Sequence, residues 1–101
     1  MWLFVMFDLP VTTPRARHEY TLFRKTLLKE GFSMLQFSVY ARYCPSEEAS
    51  AAHRRRIRHH LPAGGQVRLL SVTEFQFGKM EVFHGRKKTA AEEPPPQLLL
   101  F

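Results

Sequence analysis

Apolar positions along the chain change their spacing three times, and each spacing predicts a different element. The first run, Trp2-Leu3-Phe4-Val5-Met6-Phe7, is uninterrupted and stops at Asp8-Leu9-Pro10. Such a run predicts a strand buried on both faces, because a half-exposed strand alternates apolar with polar side chains. Pro10 ends regular pairing, so Asp8 is carried to the carboxyl end of a central strand. Beyond it, Ala16, Tyr20, Phe23 and Leu27 recur at helical spacing. Thr13 is the expected N-cap, Pro14 occupies the first helical position where a missing N–H costs nothing, and Gly31 terminates the helix. Between Phe32 and Cys44 the period falls to two. A short strand at Phe32 to Leu35 precedes a longer one on which Phe37, Val39 and Ala41 point one way and Ser38, Tyr40 and Arg42 the other.

Ser46 caps a second predicted helix, with Glu47 and Glu48 at its positive end and Ala49, Ala52, Ile57 and Leu61 as a thin apolar face. Pro62 and Gly64-Gly65 end it. Val67 to Val72 reads as a strand, and Met80 to Phe83 as a short one after a turn at Gly78. The order β-α-β-β-α-β plus an extra C-terminal strand predicts an α+β, ferredoxin-like antiparallel sheet with both helices on one face. The opposite face must then be polar, bind a ligand or pair with another copy. The expected domain spans residues 1–85. Residues 86–101 read as a tail, because Pro94-Pro95-Pro96 suits an extended tether and Leu98, Leu99, Leu100 and Phe101 form an apolar tip.

Charge narrows the list of partners. Fifteen Lys+Arg against nine Asp+Glu give a formal charge of +6 over 101 residues. That excess favours a polyanion, nucleic acid first, and a dimer would double it. One domain of this length leaves room for a surface or interfacial site rather than a deep cleft. No apolar run has the length of a spanning helix, and no basic segment precedes the first one. The expectation is a cytoplasmic protein without membrane contact. A single cysteine, Cys44, excludes an internal disulfide and a multi-cysteine zinc site.

The buried first strand ending in Asp8, Arg15 and Arg17, Gln36-Phe37-Ser38-Val39-Tyr40, and Val67-Arg68-Leu69-Leu70 followed by Thr73 stand in a fixed order along the chain. Together they resemble the CRISPR-associated Cas-two family over roughly residues 1–85. The resemblance implies a ferredoxin-like homodimer in which two copies of Asp8 face each other and hold Mg²⁺. It implies a bridge between integrase dimers of the Cas-one family that holds double-stranded DNA during spacer acquisition, with metal-dependent endonuclease activity as a second capacity. Asp8 matches the family's catalytic and metal position; Arg15, Arg17 and Tyr40 match positions tied to activity or nucleic-acid contact. Arg42 is a further candidate for phosphate. The sequence departs from the pattern at Phe7, Met34 and Ala41, where members often carry Tyr, a basic residue and an acidic residue.

A carboxylate pair suits this chemistry. Mg²⁺ takes oxygen ligands, keeps several waters, and supplies both a nucleophile and charge stabilisation to phosphodiester hydrolysis. Protons compete for the same oxygens, so binding is expected to weaken in acid. The alternative function is a toxin-like, metal-dependent endoribonuclease acting on single-stranded RNA, which predicts growth arrest on expression alone. The tail carries two readings. The resemblance suggests that it docks on the integrase subunit. Separately, Gln97-Leu98-Leu99-Leu100-Phe101 resembles the Gln-Leu-x-Leu-Phe peptide with which bacterial proteins bind the replication sliding clamp.

Overall fold

The structure, a computed structural model, describes residues 1–95. In chain order its elements are β1 (Trp2–Asp8), α1 (Pro14–Lys29), β2 (Ser33–Gln36), β3 (Val39–Tyr43), α2 (Glu47–Arg58), β4 (Gln66–Val72), α3 (Glu74–Gly78), β5 (Val82–His84) and β6 (Lys87–Thr89). Four strands form one antiparallel sheet in the order β2-β3-β1-β4, the ferredoxin-like arrangement, and β5 pairs β6 in a separate hairpin. This hairpin runs across position 85, at which the sequence divides domain from tail, and takes in Lys87 and Lys88. The strand expected at Met80 to Phe83 is β5, shifted toward the C-terminus. No helix among the described residues is long and apolar enough to cross a membrane.

The central strand splits its side chains between two cores. Leu3, Val5 and Phe7 face the helices and are buried with Phe23 and Leu27 of α1, Tyr40 of β3 and Ile57 of α2. Trp2 points to the other face, where Phe77 of α3 stacks on its indole at 4.0 Å with an interplanar angle of 9°. Thus α3 covers the Trp2 end of the face that the two long helices leave open, while Asp8 at the far end is exposed.

Helix ends follow their chemistry. Thr13 Oγ1 accepts from Ala16 N, and Pro14 starts α1. At the C-terminus, Gly31 at φ 85 lets Phe32 N donate to Leu27 O and Gly31 N to Leu28 O. These two bonds form a Schellman motif whose apolar pair, Leu27 and Phe32, is sealed into the core. The second helix stops at Arg58, one turn short of Leu61, which is 48% exposed rather than part of the expected apolar face. Ser50 takes an inward position instead and is buried, its hydroxyl 3.4 Å from that of Ser71.

An ion cluster ties the end of α1 to α2. Glu30 Oε1 accepts from His53 Nδ1 at 2.7 Å and from Arg56 Nε at 2.8 Å. Burial alone raises the Glu30 carboxyl, but bonds and charge from Arg56 and His53 outweigh it and hold it below the ordinary range. A carboxyl lowered in the folded state adds stability above its unfolded value, and that stability is lost as pH falls through the folded value. Urea midpoints taken from pH 7 downward should therefore fall in acid. Glu30→Gln should lower stability at neutral pH by about 1.5–3 kcal/mol, the worth of hydrogen bonds to a charged group, and flatten the acid slope.

Candidate nucleic-acid interface

Asp8 is exposed because it is the last residue of β1 and shares a sheet face with Met6, opposite the helices. Antiparallel pairing places Asp8 opposite Gln66 and Met6 opposite Arg68. Met6, Phe7, Asp8, Gln66 and Arg68 line a shallow cleft of about 200 Å³. Arg68 Nε donates to Gln66 Oε1 at 3.2 Å, which sets the guanidinium on the Asp8 side of β4. Gln66 and Arg68 were not singled out from sequence as site residues. Gln66 lies just outside the strand expected at Val67 to Val72, and only the register of β4 with β1 brings it and Arg68 to Asp8.

Arg15 and Arg17 lie exposed in the first turn of α1, just beyond the strand carrying Asp8. Arg17 Nη1 donates to Val11 O at 3.1 Å and pins the connecting loop. That turn contains no acidic residue, so the positive end of the helix is uncompensated and adds its field to the two guanidinium groups.

The other two sequence candidates lie on the helix side of the sheet. Tyr40 is 1% exposed, and its hydroxyl accepts from Arg24 Nε at 3.0 Å. A buried phenol held in this way offers a polymer no surface in this conformation. Arg42 spans two carbonyls, donating from Nη1 to Glu30 O at 2.6 Å and from Nε to Tyr43 O at 3.0 Å. It satisfies a carbonyl at the end of α1, the usual use of a cation there. Beside it the Cys44 thiol is fully buried, and that burial pushes its pKa up. Gln97, Leu98, Leu99, Leu100 and Phe101 lie outside the described residues.

The expected Mg²⁺ would find only one carboxylate among the described residues at this end of β1. Among the described residues no group of three or more His, Cys, Asp or Glu side chains could hold a metal ion. None pairs with the Asp8 carboxylate either, since the ion pairs there involve Glu30 and Glu81. A lone exposed carboxylate offers one oxygen ligand to a hard cation that retains most of its water.

Comparison with known proteins gives these features a context. The model of the family described as CRISPR associated protein Cas2 matches residues 1–80. A CRISPR-associated endoribonuclease Cas2 of Parvibaculum lavamentivorans is 48% identical over 101 residues, covering 100% of both chains. One of Flavobacterium psychrophilum is 46% identical over 101 residues, covering 100% of this chain and 88% of its own. A CRISPR-associated endoribonuclease Cas2 2 of Rhodospirillum rubrum is 40% identical over 105 residues, covering 100% of this chain and 94% of its own.

Proposed function

We propose that this chain, which belongs to the CRISPR associated protein Cas2 family, works as a homodimer that binds nucleic acid and hydrolyses phosphodiester bonds with Mg²⁺ held between two copies of Asp8. The observation that carries this reading is Asp8 itself: an exposed carboxylate at the end of the central strand, free of any cation partner among the described residues, beside Arg68. One chain supplies one hard ligand, so a second copy completes the pair. The metal would polarise a phosphoryl oxygen and activate water. Arg68 would orient a phosphate, and Arg15 and Arg17 would hold the flanking backbone.

Within the family setting we assign the dimer a second task in CRISPR spacer acquisition, as the bridge that carries duplex DNA between integrase subunits. The cationic excess supports it, since phosphate contacts give affinity without sequence preference. The relatives are named endoribonucleases, which is also compatible with a ribonuclease reading of the same Asp8 chemistry. That use needs neither integrase nor duplex.

Binding and assembly are tested together. Sedimentation of the purified chain should give a dimer; a monomer at micromolar concentration removes the paired-carboxylate site. Duplex affinity measured against salt should fall steeply. The slope of log K against log salt should shrink by about one for each phosphate contact removed in Arg15→Ala/Arg17→Ala. An unchanged slope takes both residues out of the interface.

A further inference from the structure

Among the described residues Phe37, 86% exposed, has the highest value of the exposed large apolar side chains; Phe75, at 72%, follows. The Phe75 ring already has a cation on it, with Lys79 Nζ 4.8 Å from its centroid. The two-residue period predicts that Phe37 shares one strand face with Val39 and Ala41. In the structure β3 begins at Val39, and Phe37-Ser38 is the tight turn joining paired Gln36 and Val39.

That turn is tied to the strand that carries Asp8. Ser38 has φ 64, a left-handed conformation that a serine adopts at a cost and that tends to persist where function uses it. Its carbonyl accepts from Phe7 N at 3.0 Å, so the turn is tied to the residue preceding Asp8. Across β1 lies the cleft of Asp8, Gln66 and Arg68. One end of the sheet thus carries an oxygen ligand for a hard cation, a guanidinium for phosphate and an uncovered aromatic ring on a turn bonded to β1. These match the parts of a nucleotide.

We infer that Phe37 is a stacking platform for an unpaired nucleobase whose phosphate lies at Asp8 and Arg68. The inference rests on the nucleic-acid reading of that end and adds a selection rule to it. Bases inside a duplex are covered by their neighbours, so a protein ring reaches only a base that is single-stranded or frayed. A phenylalanine has only two side-chain torsions to fix on binding, and aromatic stacking is tolerant of sequence. The Asp8 end thereby takes unpaired nucleotides, while duplex lies along the arginines.

The test is equilibrium binding to two probes with Ca²⁺ supplied as the hard cation in place of Mg²⁺, and with intact probe verified on a denaturing gel. One is an oligoadenylate with a central 2-aminopurine; the other is the same strand annealed to its complement. Phe37→Leu should bind the single strand about tenfold more weakly and lose the 2-aminopurine quenching seen with the unaltered chain. Phe37→Tyr should retain both, and duplex affinity should not change. Equal single-strand affinity in Phe37→Leu, or equal losses on both probes, overturns the stacking role. So does dissociation of the dimer in Phe37→Leu by light scattering, which would make Phe37 a subunit contact. If the unaltered chain binds neither probe, the nucleic-acid reading fails and takes this inference with it.

Discussion

Asp8→Asn is expected to abolish Mg²⁺-dependent cleavage while leaving the fold and duplex binding in place. The amide keeps the size of the carboxyl and loses its charge, and a hard cation depends on that charge. Metal activation of water and phosphoryl oxygen supplies several kcal/mol. At 1.36 kcal/mol per tenfold, the loss should be on the order of a thousandfold. Stability should hardly move, because the side chain is exposed and makes no ion pair among the described residues. The variant also separates the two tasks assigned above. Spacer acquisition that survives Asp8→Asn with the integrase complex intact belongs to the bridge; acquisition lost with the complex intact belongs to catalysis. Cleavage that persists at the original rate would remove Asp8 from the chemistry altogether.

The residues that could be read from sequence are those whose environment is fixed by neighbours in the chain. Thr13, Pro14 and Gly31 mark the ends of α1 because caps and terminators act within a turn. The apolar run of β1 needs no partner to announce that both faces are covered. Elsewhere the decisive information is tertiary. Ser38 turns the chain in a left-handed conformation without the Gly or Asn that advertises such a turn, so the strand was extended backward through Phe37. Tyr40 and Arg42 were rightly set on one side of β3, but alternation does not say which side is inward. A phenol and a guanidinium look like surface groups until Arg24 and the end of α1 are found waiting for them. The helix at Glu74 to Gly78 is too short for periodicity, and its only local signal is the capping box of Thr73 and Gln76.

Gly65 shows the same dependence at the site itself, and Gly65→Ala should have the largest effect on stability. Its φ is 80, where an L side chain crowds its own backbone. A Cβ there would sit 2.5 Å from Asp8 O, 2.7 Å from Leu9 Cδ2 and 3.0 Å from Leu9 Cα. Leu9 can turn a methyl aside, but the Asp8 carbonyl and the Leu9 Cα are backbone and yield only if β1 and β4 part where Asp8 pairs Gln66. The left-handed conformation costs about 1–2 kcal/mol and the overlap about 1–3 kcal/mol more. The urea midpoint should fall accordingly. Gly64→Ala is the control, since its Cβ would meet only Pro10 Cγ at 3.7 Å and should change little. Relief of the overlap shifts the Asp8 backbone, and misplacement by an ångström costs about a hundredfold in rate. Folded Gly65→Ala should therefore lose the proposed Mg²⁺-dependent cleavage while keeping the salt-dependent duplex affinity proposed for Arg15 and Arg17. Full cleavage by a folded Gly65→Ala would mean that the end of β1 tolerates movement and that the position of Asp8 is not what the reaction depends on.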